Sequence, residues 1–487
     1  MKTGSLARNA RFFSLGAAPE AHYALAVPDG ARRRLAIGWL WLALASLIGS
    51  GVFSILLVLS RAPYVKDVFP LVDFFRVALV LHVDLSVLVW FAAISGILWS
   101  LHSTPRLAPM GWAALGTAAV GALVMSLAAF RSDAAPIMSN YIPVLDQPLF
   151  IAGLLIFATG CALLVLRAMI AVPRVGTRPD GAGAMRFGLN SALVSAAVAM
   201  LAFGWSWVEL PPGLDAKAFY EVLFWGGGHV LQFTWTLLML VAWLWLAQAS
   251  GARTPLTPRI SILLFAVGLA AVFATPVIYL AYDIVSVEHH RLLTWLMQFG
   301  GGLVILPFTL AVAIAFLRAP KAGADERALR TSLAWSILLF GAGGLIGLTI
   351  QGNNVKIPAH YHGSIVGVTI AFMGLVYHLL PHLGYARPNA RLAMLQPWLY
   401  GGGQLAHVLG LLWSGGYGVQ RKVAGAEQAL RSTEEIAAMG LMGLGGLIAV
   451  IGGLLFLVIV LRAMLAREPD ADASKDDDEK RDHAQAR

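Results

Sequence analysis

Six histidines carry the chemistry that this sequence offers. His82, His229, the adjacent pair His289-His290, and the pair His360 and His362 lie in or against long apolar segments. Imidazole is costly inside a bilayer and is kept there for function. Neutral imidazole is also the commonest side-chain ligand for iron and copper. Six such groups in apolar surroundings point to buried redox metals.

Spacing divides them. On a helix each residue advances about 100°, so His360 and His362 stand ~200° apart and face opposite flanks. One helix then serves two metals, whereas ligands sharing one ion favour i and i+4. The bland alternative makes one of the two a hydrogen-bonded core histidine. His289 and His290 are expected in an irregular turn at a helix end, both bending toward one ion. With His229 they form a three-imidazole site open at a fourth position, where a small molecule reaches the metal. Around His229 runs Phe224-Trp225-Gly226-Gly227-Gly228-His229-Val230-Leu231-Gln232-Phe233. The three glycines remove side chains and admit a large planar ligand or a neighbouring helix. Alone, His229 reads equally well as a polar residue in a helix interface.

The elements that position these groups are membrane spans. Of the 487 residues, 58% are hydrophobic and only 13% charged, against about a quarter charged in soluble proteins. Runs of about 20 apolar residues occur near 35–60, 73–101, 108–131, 146–171, 187–209, 219–249, 259–283, 289–318, 331–351, 357–384, 395–415 and 437–466. The expected fold is an all-α bundle of about twelve transmembrane helices over 35–466, after an N-terminal segment 1–34 and before a charged, disordered tail 467–487. Residues 1–34 are polar and basic and the first apolar run is too long for a cleavable signal, so none is expected. The net charge of +9 sits in short loops and reads as topology, with no nucleic-acid partner. Arg32, Arg33, Arg34, Arg167, Arg174, Arg178, Arg186, Arg253, Arg259, Arg318, Lys321, Arg327, Arg330, Arg387 and Arg391 fall on one side. Asp133, Asp146, Glu209 and Asp215 fall on the other. The positive-inside rule puts both termini in the cytoplasm of a bacterial-type plasma membrane, and all six histidines in the outer half. The single cysteine, Cys161, excludes an internal disulfide, a CxxCH haem attachment and a multi-cysteine metal cluster. Electrons therefore come from a separate donor subunit or a cytochrome c.

With His82 in LHVDL of span two, His229 in GGGHVLQF of span six, His289-His290 before span eight and AHYHG in span ten, the chain resembles the haem-copper oxidase superfamily, catalytic subunit I, over almost its whole length. The resemblance implies two haems and one non-haem metal, copper or alternatively iron. It implies a low-spin haem between His82 and His362. It implies a high-spin haem on His360, facing the non-haem metal on His229, His289 and His290. It also places basic residues before the last span at haem propionates, for which Arg421 and Lys422 are the local candidates; otherwise they belong to a solvated loop.

The sequence departs from the family pattern where the substrate is decided. Many oxygen-reducing members carry a tyrosine four residues after the span-six histidine; here it is Phe233. Others place it six residues before the histidine pair; here that is Asp283, with Tyr282 next to it and Tyr279 one turn earlier. Splitting O2 takes four electrons, one of them from that phenol, whereas joining two NO molecules to N2O takes two. The familiar NO reductases place a glutamate where Phe233 stands. Gln232, Glu221 and Glu288 are the nearby polar candidates: Gln232 to bind a ligand or pair with another helix, Glu288 as ligand, proton donor or rim charge. Asp84 is the one carboxylate deep in an early span, read as bonded to a neighbouring span. His378, His382 and His407 are read as structural. The expected function is a terminal respiratory reductase taking O2, with NO as the alternative. The rivals of other classes are a multi-span transporter with incidental histidines and a haem protein without turnover.

Overall fold

Backbone amides and carbonyls have no partner in hydrocarbon, so each long apolar run must satisfy its own as a helix. The computed structural model describes residues 21–61, 74–131, 133–176, 180–352, 354–421 and 432–466. The described residues form twelve long helices: α1 Ala31–Arg61, α2 Phe74–Leu101, α3 Ala108–Ala128, α4 Pro148–Ile170, α5 Gly181–Glu209 and α6 Ala216–Ala249. They continue as α7 Pro258–Ala281, α8 Val287–Arg318, α9 Ala324–Gly347, α10 Lys356–His382, α11 Ala390–Gly416 and α12 Thr433–Leu465. Among the described residues eleven of these are long and apolar enough to cross a membrane. The remaining one, α11, spans 27 residues but is diluted by Arg391, Gln396, Gln404 and His407. The expected tail beyond Arg467 lies outside the described residues.

Polar residues cap seven of these helices at their first turn. Gln147, Asp180, Asp215, Thr257, Ser286, Asn389 and Ser432 each accept a hydrogen bond from a backbone amide in the first turn of α4, α5, α6, α7, α8, α11 and α12. Consecutive helices pack as pairs, and glycines let the backbones touch. A Cβ on Gly363 of α10 would stand 2.6 Å from the Gly343 Cα of α9.

Burial ranks the helices. In their most apolar windows 83% of α10 and 78% of α6 is buried, against 28% for α7 and α8. The helices bearing His229, His360 and His362 are thus the core of the bundle. Two of the spans are wound locally as π-helix, Asp84–Val89 in α2 and Leu296–Gly300 in α8. Among the described residues an all-helical reading is departed from at a short hairpin between α3 and α4 and at an isolated β-bridge between Asn354 and Gln420. In the hairpin β1 Ala135–Ile137 pairs antiparallel with β2 Val144–Asp146, Pro136 opposite Leu145.

Candidate functional site: a histidine-lined centre

His229, on α6, is 3% exposed. Its Nδ1 lies 2.7 Å from the Trp225 carbonyl one turn earlier. A carbonyl only accepts, so Nδ1 carries the proton and Nε2 is the acceptor. The group that donates to it is the phenol of Tyr141, 2.8 Å away. Tyr141 comes from the turn between β1 and β2 and holds a left-handed backbone, φ 67°, which costs a non-glycine residue roughly 1–3 kcal/mol. The turn is held by several contacts. Ser139 Oγ donates to the Ile142 carbonyl at 2.6 Å. The Glu221 carboxylate accepts from the Asn140 amide at 3.1 Å and its side-chain Nδ2 at 2.9 Å. Arg421 Nη1 donates to Asn140 Oδ1 at 3.4 Å. Gln232 Nε2 donates to the Tyr141 oxygen at 3.3 Å. The ring itself fills the space left by Gly228, where an added Cβ would lie 2.6 Å from Tyr141 Cδ1.

His289 and His290 sit in the first turn of α8, capped by Ser286 Oγ, which accepts from the His289 amide at 3.2 Å. This corrects the expected irregular turn: the cap is strong enough for helix to start before the pair. The rings are consequently splayed, their centroids 5.9 Å apart and 72° out of plane. His289 is fully buried, and among the described residues neither of its ring nitrogens has a partner. The Tyr279 ring packs edge-on against it at 4.7 Å. His290 Nδ1 donates to the Ser286 carbonyl at 3.0 Å. The Trp225 ring lies 4.8 Å from both His229 and His290, and Thr294 Oγ1 reaches His229 Nε2 at 3.5 Å. The three imidazoles therefore line one region without closing on one point. Among the described residues no three His, Cys, Asp or Glu side chains are gathered as an ion would need.

The ~200° offset of the α10 pair is visible in their neighbours. His360 turns to α9, its Nδ1 donating to the Gly343 carbonyl at 2.7 Å. His362 turns to α11, its ring 4.7 Å from His407. His82 on α2 meets α1, with Nδ1 3.0 Å from Ser50 Oγ and 3.1 Å from the Ser50 carbonyl. The π-helical segment begins just after it, and Ser86 Oγ donates to the His82 carbonyl at 2.6 Å. Such segments recur at functional sites.

His82, His229, His290 and His360 share one arrangement. Each anchors Nδ1 on a carbonyl, which leaves Nε2 as the basic nitrogen. Metal-ligating histidines are oriented in this way. With the doubly orphaned His289, the donor set fits haem iron and a non-haem copper or iron. Were His229 to hold an ion, Nε2 would be its donor atom, the nitrogen that Tyr141 contacts here.

Other expectations need correction. Tyr282 caps the end of α7 in extended backbone and is 40% exposed. It lines an outward cavity of about 400 Å³ with Glu209, Tyr279 and Asp283, because the helix ends just before it. Glu288 is exposed, about a third of a turn off the buried face of His289. Gly226, Gly227 and Gly228 admit the side chains of Tyr279, Phe203 and Tyr141 in place of a planar ligand. Asp84 is 1% exposed with neither oxygen bonded among the described residues, so the expected bond to a neighbouring span is not made. His407 is no bystander, since it lies against His362. Arg421 braces the Tyr141 turn; Lys422 lies outside the described residues. Gln232 does join the centre, through Tyr141. Tyr141 itself is the residue that sequence reasoning missed. Three glycines beside a histidine were its one trace, since such space invites aromatic rings.

The sequence profile described as Cytochrome C and Quinol oxidase polypeptide I matches residues 34–466. An uncharacterized protein of Rickettsia prowazekii (strain Madrid E) is 28% identical over 498 residues, covering 88% of this chain and 96% of the relative. An uncharacterized protein of Aquifex aeolicus (strain VF5) is 27% identical over 351 residues, 71% of this chain and 85% of that one. Among solved structures, a heme-copper terminal oxidase dimer superposes with a TM-score of 0.70 at 16% identity, over 91% of this chain and 85% of that one. That likeness concerns the fold.

Proposed function

Because the chain belongs to the cytochrome c and quinol oxidase polypeptide I family and is therefore a membrane-embedded oxidoreductase, we propose that the gas it reduces is O2, taken to water. The observation that carries this reading is the Tyr141 phenol on His229. In the proposed assignment His82 and His362 hold a low-spin haem, His360 a high-spin haem, and His229, His289 and His290 a copper ion. When bound, the metals bind the gas and deliver electrons to it. A phenol is a group that gives up a proton and an electron together. Reduction of O2 draws on four of each, and the pairing of two NO molecules on half as many. Tyr141 keeps that reserve beside the ligand nitrogen. Gln232 donates to the phenol oxygen and so leaves its proton aimed at the centre. Glu221 and Arg421 hold the turn through Asn140 without touching the reacting groups. The electrons enter through a partner subunit or a cytochrome c.

The second reading, NO to N2O over a non-haem iron, is favoured by Phe233 and Asp283 at the positions where oxygen-reducing relatives carry tyrosine. Copper content, iron content, O2 uptake and N2O release of the purified protein separate the two. In the O2 reading, Tyr141→Phe keeps copper and both haem bands and loses about 10²-fold or more in O2 uptake, the scale of a lost proton donor. N2O release unchanged by Tyr141→Phe, with iron in place of copper, supports the second reading. His229→Ala should keep the low-spin haem spectrum and lose copper and turnover. Loss of that spectrum would overturn the ligand assignment, and purified protein without a Soret band would return the transporter.

A further inference from the structure

Of the 12 histidines in the chain, one pair alone stands four residues apart: His378 and His382, in the last turns of α10. Four residues advance about 400°, so the two side chains lie ~40° apart on one face, one turn from each other. Two imidazoles that share one ion have this spacing, which the offset of His360 and His362 does not offer. His378 follows His362 by about 24 Å along the helix, at 1.5 Å per residue. The pair therefore sits at the other end of α10 and takes no part in the proposed haem seats.

The ring geometry fits one ion. The two ring centres are 4.8 Å apart, with the planes 49° to one another. With metal–nitrogen distances of about 2.0–2.1 Å, two imidazoles on one tetrahedral ion have their ring centres about 5 Å apart. His382 Nδ1 donates to the His378 carbonyl at 2.9 Å, which leaves Nε2 as the basic nitrogen. His82, His229, His290 and His360 are anchored in the same way, and metal-ligating histidines are oriented so. The buried Trp245 ring of α6 backs His378 edge-on, its centre 5.7 Å away. The end of the helix is itself fixed. The Leu383 amide donates to the Leu379 carbonyl at 2.9 Å, the Gly384 amide to Pro381 at 3.0 Å and the Tyr385 amide to Leu380 at 3.1 Å. His382 is exposed and His378 half-buried, so an ion and its waters reach both. Arg387, the next cation along the chain, is held by Asp325 at 3.3 Å.

We propose that His378 and His382 form a separate metal site for a divalent ion that prefers imidazole, of the zinc and copper(II) class. Among the described residues no third His, Cys, Asp or Glu joins them, so water completes the coordination. A closed structural zinc site takes four protein ligands. With two, the ion exchanges with the aqueous side, and when bound it clips the last turn of α10. Nitrogen donors favour zinc and copper(II) over magnesium, which prefers oxygen. The site is independent of which gas the centre reduces.

The test uses the full-length protein as purified, titrated with zinc chloride and with magnesium chloride in a calorimeter. Zinc should occupy one more site in the wild type than in His382→Gln, and should raise the melting temperature of the wild type further. Magnesium should do neither. Loss of an outer-shell partner alone costs about 10–100-fold in metal affinity, so loss of one of two ligands should weaken zinc binding at this site by about tenfold or more. The haem spectrum should be unchanged. His378→Gln should give the same result. Equal zinc binding by wild type and His382→Gln overturns the proposal. So does zinc lost in His382→Gln and kept in His378→Gln, which would make His382 a lone surface ligand. Should His378→Gln fail to fold, the wild type decides. Zinc should slow the modification of both histidines by diethylpyrocarbonate, read by peptide mass, and equal modification with and without zinc overturns the site.

Discussion

A single missing methyl group decides where the phenol stands. Gly228 precedes His229 on α6, and the Tyr141 ring occupies the volume that a Cβ there would take, 2.6 Å from Cδ1 and 2.8 Å from the Tyr141 Cβ. Overpacking of this kind costs typically 1–3 kcal/mol. Gly228→Ala should therefore lower the melting temperature and pull the phenol off Nε2; on the proposed O2 reading it reduces O2 uptake as Tyr141→Phe does, while the proposed metals stay. Gly302 is the control, since nothing lies within 4 Å of an added Cβ there. Gly302→Ala replaces a helical glycine and should be neutral or stabilising by up to about 1 kcal/mol. Equal losses in the two variants would show that the Gly228 effect is one of helix geometry and has nothing to do with Tyr141. The six histidines stood out as candidates from type and position because imidazole is rare in apolar spans. Tyr141 was not, because the pairing of a hairpin turn with a helix 88 residues later follows no period. Tyr282 looked closer in sequence, yet α7 ends one residue before it and turns it outward.

Helices position the proposed ligands through their packing as well as their pitch. The separation of His360 from His362 was readable from 3.6 residues per turn alone. Which helices receive them was not, because that depends on how α9 and α11 lean on α10. The answer lies in glycine contacts: Gly343 of α9 and Gly363 of α10 bring the two backbones together, and the Gly343 carbonyl takes the His360 proton. Gly347 completes the seat, since its Cβ would meet His360 Nδ1 at 2.7 Å. Gly363→Val should separate α9 from α10 and shift His360 off that carbonyl. The expected spectrum loses high-spin haem and keeps the low-spin band of His82 and His362, with a lower melting temperature. Simultaneous loss of both bands would mean that α10 moves as one body, and that His360 is not separately seated. The β1–β2 hairpin and the helical start at His289 were the other elements not foreseen. Three-residue strands carry too little pattern to be seen, and the Ser286 cap was hidden beside two histidines that invited a bent turn.

For the whole molecule, an even number of crossings fixes a relation between the ends. Twelve helices were legible in outline because hydrocarbon leaves a spanning backbone no other way to satisfy itself. Eleven of them meet the length and apolarity of a span among the described residues, and α11 is long enough to be the twelfth. If all twelve cross, Tyr23 before α1 and Ala466 after α12 lie on one side. That side is the one on which Arg32, Arg167, Arg186, Arg253, Arg318 and Arg387 cluster, at the ends of α1, α4, α5, α6, α8 and α10. The opposite end carries Asp133, Asp146, Glu209 and Glu288. Since Lys and Arg in short loops are retained on the cytoplasmic side, a fluorescent protein fused after Arg487 should fluoresce in a bacterial host, and alkaline phosphatase fused there should be inactive. If α11 lies along the surface without crossing, the two reporters exchange outcomes. In that case His407 leaves the membrane interior and its ring contact with His362 loses its meaning as part of a haem seat. The reporter pair thus tests the twelfth crossing and the environment of His362 together.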